Sequence, residues 1–189
     1  LPNQKTGIVP NKKWKKEKMG ESWYAGETLI SAIGQGFVLT NPFQLAVMTS
    51  IIASNGKMIE PTIIKGNRVS FKTNEKYSKE IKIIKKAMFK VVNENKGTAF
   101  KSRLQDIKFA GKTGTSQVRR ISLSERESDD FREKEQEWKN RDHALFVGYM
   151  PYDDPKYSIS VIIEHGGSGA STAAPIAKQI FNYINELEV

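Results

Sequence analysis

Apolar positions follow two spacings along this chain, one near 3.6 residues and one near two. Asn41-Pro42 leads into Phe43, Leu45, Ala46, Thr49, Ile52 and Ala53. An N-cap residue, a proline at the first helical position and an apolar stripe predict a helix there. Gly56 stands just past its end, where a left-handed residue is wanted. A second helix is predicted from Ser78 to before Gly97, with Ile81, Ile84, Met88 and Val91 as its apolar face. Lys79, Lys82, Lys85, Lys86 and Lys90 then read as its solvated back. Ile107 to Val118 is a strand candidate weakened by Gly111 and Gly114. Ala144 to Tyr149 and Tyr157 to Glu164 are clearer strands, joined by the turn-rich Pro151-Tyr152-Asp153-Asp154-Pro155. A glycine-rich loop, His165 to Ser171, feeds a last helix. Its stripe is Ala173, Ile176, Ala177, Ile180, Phe181, Ile184 and Leu187, with Pro175 in the first turn. The order is helix, helix, three antiparallel strands, helix: an α+β class with an antiparallel sheet flanked by helices.

The chain has 189 residues, enough for one large domain, and its 38% hydrophobic content supports a packed core. No apolar run reaches the length of a membrane span. With no cysteine, disulfides, thiolate metal sites and cysteine catalysis are excluded. The chain opens at Leu1 without Met or signal peptide, so it is expected to be a piece of something longer. A net charge of +9 suits an anionic partner. Lys5, Lys12, Lys13, Lys15, Lys16 and Lys18 crowd the start, near Trp14 and Trp23. Basic residues interleaved with exposed aromatics would suit nucleic acid, so an anionic-surface or nucleic-acid binder is one reading. From Arg119 to Asp142, 15 of 24 residues are charged, seven positive and eight negative, which predicts a mobile charged loop.

The strongest chemical signal is Lys112-Thr113-Gly114-Thr115 within Phe109-Ala110-Gly111 and Ser116-Gln117-Val118. Alone, such a tripeptide is an ordinary edge strand with a solvent-facing lysine. A glycine in a strand lets another backbone lie alongside, and hydroxyls plus a lysine favour a carboxylate. A peptide ending in a carboxylate could therefore bind there as an added strand. Lys-Thr-Gly also accompanies S-x-x-K and S-D-N in β-lactamases and penicillin-binding proteins. The one S-x-x-K spacing here, Ser54-Asn55-Gly56-Lys57, falls at a helix end, where serine and lysine cannot share a face. It reads as a decoy. His143 and His165 are isolated from clustered carboxylates and read as structural. The glycines after His165 could cradle an anion on backbone N–H groups, but the lysine and spacing of a phosphate loop are missing. That loop reads as the turn that folds the last helix back, near the rim of a cleft.

Further segments carry a family resemblance. Gly34-Gln35-Gly36, then Leu39-Thr40-Asn41-Pro42-Phe43-Gln44-Leu45-Ala46, resembles the G-Q-G…T-P-x-Q-L-A segment of class B penicillin-binding proteins. Trp14 to Gly26 is similar to the loop before it. Arg141-Asp142-His143-Ala144-Leu145-Phe146-Val147-Gly148-Tyr149 and Glu164-His165-Gly166-Gly167-Ser168-Gly169 resemble the elongation-type members. The matches keep the family's order from about residue 1 to 189.

The resemblance implies the C-terminal part of a transpeptidase domain of the serine β-lactamase/penicillin-binding-protein fold. It implies cross-linking of peptidoglycan stem peptides ending in D-Ala-D-Ala through a serine acyl-enzyme, and binding of β-lactams. Lys112 would serve the catalytic serine-lysine-serine network. Thr113 and Thr115 would hold the substrate carboxylate, and the Thr115 N–H would form half of the oxyanion hole. Gly114 and Gln117 would complete the substrate-binding strand. No metal or organic cofactor is implied, and no nucleic acid. The implied partners are stem peptides, β-lactams, the N-terminal half of the domain and elongation-machinery proteins. The implied location is the bacterial periplasm, with an inner-membrane anchor outside this chain. The nucleophile's S-x-x-K and the S-x-N would also lie outside, leaving these residues inactive alone, and the strand Tyr157 to Glu164 would pair with one upstream of Leu1. A β-lactam sensor or β-lactamase of the same fold is the rival within the family.

Overall fold

The computed structural model describes residues 5–64, 71–73, 75–118 and 137–188. Two compact units are present, 1–45 and 46–189.

The first unit holds two helices that hydrophobic spacing did not predict, α1 (Lys12–Met19) and α2 (Ala25–Ala32). Asn11 caps α1 by accepting the Trp14 N–H at 2.9 Å, and Gly20 ends it in a left-handed conformation. Lys15, one of the lysines that crowd the start of the chain, is only 2% exposed. Its ammonium lies 2.6 Å from Glu27 and 3.4 Å from Glu21, and 4.4 Å from the centre of the Tyr24 ring. Trp14 packs on Phe37 at 5.4 Å, and the Trp23 indole N–H donates to Thr28 at 2.9 Å. Neither tryptophan is therefore a free stacking platform of the kind single strands require. Ile8 and Leu39 exchange backbone hydrogen bonds and close the unit.

Helix α3 spans Pro42–Ala53. Asn41 accepts the Gln44 N–H, and the Gln44 side chain accepts the Asn41 N–H in return. At its other end Asn55 is the left-handed residue (φ +59°), with Gly56 following at φ +88°. The Gly56 and Asn55 N–H groups bond back to Ile51 and Ile52, a Schellman closure in which asparagine takes the place expected for Gly56. The chain then enters a hairpin not anticipated from sequence, β1 (Lys57–Ile59) against β2 (Phe71–Thr73).

Helix α4 (Ser78–Asn93) is present as predicted, but its buried face is rotated. Met88 and Val92 are buried, while Ile84 is exposed. Lys85, assigned above to the solvated back, turns inward and donates to the Ala53 carbonyl and the Asn55 side chain at 2.8 and 2.9 Å. The end of α3 leaves backbone carbonyls without helical partners, and a cation there also meets the negative end of the helix dipole. Burial pushes the Lys85 ammonium below its usual pKa, with Asp153 opposing that shift.

The sheet is β3 (Ala110–Ser116), β4 (His143–Met150) and β5 (Tyr157–Ile163), antiparallel in the order β3-β4-β5. Residues 107–109 stay outside β3, shorter at its start than predicted. Ala144, Phe146 and Val161 pack against the final helix α5 (Ala174–Glu188) through Ala174, Ala177 and Phe181. Ala110 and Tyr149 face the other way, onto Ala53 and Met88. Of the predicted α5 stripe, Ile180 and Leu187 are exposed. A π-helical turn, Gly169–Ala173, precedes α5. The predicted charged loop 119–142 falls largely outside the described residues, through 136. Its last six residues are folded, with a 3-10 turn at Trp138–Asn140, because backbone groups there hold the loop after β5. Among the described residues no helix is long and apolar enough to cross a membrane.

One aromatic ring fixes how β3 meets β4. A Cβ on Gly111 would lie 2.2 Å from Phe146 Cζ and 2.7 Å from the Val147 carbonyl oxygen. A Cβ on Gly148 would lie 2.8 Å from Phe146 Cε1. The Phe146 ring thus fills the side-chain space of two paired glycines. In the protein carrying this chain, Gly111→Ala is expected to lower stability by about 1–3 kcal/mol, the usual range for overpacking. A denaturant midpoint equal to the parent's would refute this packing.

The Lys15–Glu27 pair yields a pH signature. Hydrogen bonds from Lys15 and from the Tyr24 N–H hold Glu27 below its usual pKa. Burial opposes the charge on Lys15, yet its bonds to Glu27 and Glu21 raise its pKa overall. Glu27 therefore stabilises the fold above the ordinary carboxylate pKa, and this is lost as pH falls through its lowered value. Lys15 contributes below the ordinary ammonium pKa, and this is lost as pH rises through its raised value. Glu27→Gln should flatten the acid limb of stability against pH, followed by tryptophan emission in urea. An acid limb as steep as the parent's would count against the pair.

Candidate functional site

The Lys-Thr-Gly segment lies on β3, and among the described residues no strand pairs with the outer edge of β3. Lys112 and Thr115 are exposed, Thr113 and Gly114 half-buried, and Gln117 follows the strand, exposed. Lys112 Nζ donates to the Thr113 carbonyl at 2.5 Å. The Thr113 hydroxyl lies 2.9 Å from that of Thr98. Thr98 is held in the turn after α4, where the Ala99 N–H bonds to the Val91 carbonyl at 3.0 Å and Ala99 itself is buried. Sequence reasoning missed Thr98. Its only signal was a hydroxyl between Gly97 and an apolar pair, which predicts no partner.

Beside Thr115 opens a pocket of about 390 Å³, walled by Thr115, Arg141, Asp142, Gly167 and Ser168. Of the five residues assigned to the site, the pocket takes in Thr115, while Lys112, Thr113, Gly114 and Gln117 are not among its lining residues. The resemblance quoted Arg141, Asp142, Gly167 and Ser168 without giving them a role. Register explains their arrival: Ser116 pairs with His143, so the residues before β4 lie beside the end of the Lys-Thr-Gly strand.

The lining residues that follow β5 are tied to the same segment. The Gly167 N–H donates to the Asp142 carbonyl at 2.8 Å, and the His165 N–H to His143 Nδ1 at 2.9 Å. His165 Nδ1 lies 3.0 Å from the Arg141 carbonyl oxygen, and its ring packs 4.4 Å from that of Trp138. Both histidines thus tie the glycine-rich loop to residues 141–143, and Gly167 and Ser168 of that loop line the pocket. The π-helical turn presses on the strand itself. A Cβ on Gly169 would come within 2.3 Å of the Gly114 carbonyl oxygen and 2.4 Å of that of Leu145, so only glycine permits this approach.

Ser54 of the S-x-x-K spacing donates to the backbone carbonyls of Ile51 and Lys57, both at 3.2 Å. Its hydroxyl is engaged with backbone carbonyls at a helix end. Among the described residues the outer edge of β3 is thus left without a paired strand beside the pocket at Thr115.

Comparison with known proteins follows the same line. The profile of the penicillin binding protein transpeptidase domain matches residues 1–182. The peptidoglycan D,D-transpeptidase MrdA of Acinetobacter baumannii is 34% identical over 97% of this chain and 28% of its own length. That of Haemophilus influenzae is 33% identical over 93% of this chain, again 28% of its length. The chain thus spans less than a third of these curated relatives. Among solved structures, a penicillin-binding protein (PBP2) from Helicobacter pylori, in complex with MreC, superposes with a TM-score of 0.85 at 35% identity. That match covers 99% of this chain and 32% of that one. PBP2 of Pseudomonas aeruginosa, in complex with WCK 5153, gives 0.73 at 28% identity, over 97% of this chain and 39% of that one.

Proposed function

The chain belongs to the penicillin-binding protein transpeptidase domain family, and from that premise we propose that it forms the substrate-binding part of a peptidoglycan D,D-transpeptidase of the elongation type. The observation that carries the reading is the outer strand β3, whose Lys112-Thr113-Gly114-Thr115 runs beside a pocket at Thr115. A stem peptide lies along β3 as an added strand, its terminal carboxylate held by Thr113 and Thr115. A serine from outside these 189 residues attacks the carbonyl between two terminal D-alanines. The C–N bond breaks, D-alanine leaves with a proton, and an acyl-serine ester remains. The amine of a neighbouring strand then attacks that ester, forming the cross-link and returning the hydroxyl to the serine. Lys112 supplies positive charge to the serine's proton network, and the Thr115 N–H is one oxyanion donor. Gly114 permits close approach, and Gln117 lines the path of the peptide.

β-Lactams would acylate the same serine. The H. pylori protein's complex with MreC supports a partner from the elongation machinery. The periplasm, with an anchor to the inner membrane elsewhere in the protein, is the location this role requires. A nucleic-acid role is disfavoured by the inward turn of Lys15 and Lys85 and by the held positions of Trp14 and Trp23.

In the full-length protein, Lys112→Ala should abolish labelling by a fluorescent penicillin while leaving the melting temperature unchanged. Labelling rates within tenfold of the parent's would defeat the assignment. Thr98→Val, which removes the hydroxyl partner of Thr113, should slow acylation roughly fivefold, the effect of about 1 kcal/mol from one hydrogen bond. An unchanged rate would show that Thr113 is set by β3 alone.

A further inference from the structure

We propose that His143 is a positioning residue for substrate: its ring clasps the corner after β5 to the start of β4 and so sets the width of the pocket beside Thr115. The role of the pocket rests on the acyl-transfer reading above; the clasp itself does not.

The argument begins at the corner. His165 has φ +54°, a left-handed conformation that costs a non-glycine residue about 1–2 kcal/mol. β5 has ended at Ile163, so the His165 N–H has no strand partner and must find another acceptor. It finds His143 Nδ1 at 2.9 Å. That nitrogen can accept only while unprotonated, so the neutral ring carries its hydrogen on Nε2. The two imidazoles meet edge to face at 4.8 Å, and Trp138 covers His165 from a second side.

Three tethers leave the corner, and all land on three consecutive residues. The His165 N–H reaches His143, the His165 ring Nδ1 donates to the Arg141 carbonyl, and the Gly167 N–H reaches the Asp142 carbonyl. Arg141, Asp142, Gly167 and Ser168 all line the pocket beside Thr115. The tethers therefore join the two segments that line the pocket, 141–142 and 167–168. Two of the acceptors are backbone carbonyls, which no substitution removes. His143 is the one side-chain acceptor among the three. It is also the first residue of β4 and pairs with Ser116, so the clasp is anchored to the strand that carries Thr115.

The test uses the full-length protein and two substitutions. His143→Asn keeps an acceptor, Oδ1, where Nδ1 stands, and His143→Leu keeps bulk without one. Acylation by a fluorescent penicillin is followed against its concentration, and amide hydrogen exchange is read over residues 165–168. The leucine variant should raise the half-saturating penicillin concentration at least fivefold, hold the limiting acylation rate within twofold, and exchange the His165 amide at least tenfold faster. The asparagine variant should stay within twofold of the parent in all three. If the leucine variant fails to fold, His143→Gln replaces it, because its amide oxygen reaches past the Nδ1 position and should reproduce the loss. Parent-like half-saturation in the variant without an acceptor, or a folded asparagine variant that shares the loss, overturns the proposal. If the parent itself does not label, the acyl-transfer reading falls and the exchange rates alone decide the clasp: unchanged exchange without the acceptor refutes it.

Discussion

The contact on which the site depends most is the Phe146 ring lying across Gly111 and Gly148. Two paired glycines leave a gap that one aromatic ring fills, and a filled gap permits little sliding between strands. A slip of one residue would turn every side chain of β3 to the other face. Lys112 and Gly114 would then exchange places with Thr113 and Thr115. Because the register holds Ser116 opposite His143, the end of β3 meets the residues that wall the pocket. The same ring joins Phe109 and the α5 side of the core, so the binding strand and the last helix share one packing constraint.

Charge plays a different part inside this fold than its net value suggests. Lys15 and Lys85 both point inward, and each answers a specific need. Lys15 gathers two carboxylates, Glu21 and Glu27, from the segment that follows its helix. Lys85 closes the end of α3, where backbone oxygens have no helical partner. Its aliphatic stem can pack while the ammonium reaches those oxygens. Nearby, the buried Tyr149 hydroxyl has no hydrogen-bond partner among the described residues, and burial pushes its pKa upward. A surface estimate from the +9 total therefore overstates the attraction for an anionic polymer.

How much of this was legible in sequence depends on what kind of contact decides each element. The three strands, α4 and α5 were readable because local spacing and local turns decide them. The Lys-Thr-Gly strand was readable as chemistry because a short motif carries it. Helix α1 was not, since five of its eight residues are lysine and it is held by Asn11, Gly20 and the Lys15 ion pairs. The buried face of α4 was misread by one position. Three isoleucines, at 81, 83 and 84, offered competing stripes, and the contacts of Met88, Phe89 and Val92 settled the rotation. Thr98 and the Arg141-Asp142 wall were invisible because they reach the site through register and turns, not through spacing along the chain.

The charged stretch before β4 shows why composition alone misjudges such segments. A run rich in alternating charges lacks apolar surface, and that argues for a loop without a core of its own. Yet its last residues need no apolar surface to be held. They offer acceptors, the backbone carbonyls of Arg141 and Asp142, to a glycine-rich loop whose donors have left the sheet. Two weakly apolar segments, 137–142 and 165–169, thus fix one another by pairing polar groups that neither could satisfy alone. The pocket forms where they meet, next to a strand with an open edge. Such a pocket presents side chains of either charge, Arg141 and Asp142, together with backbone groups of the glycine-rich loop.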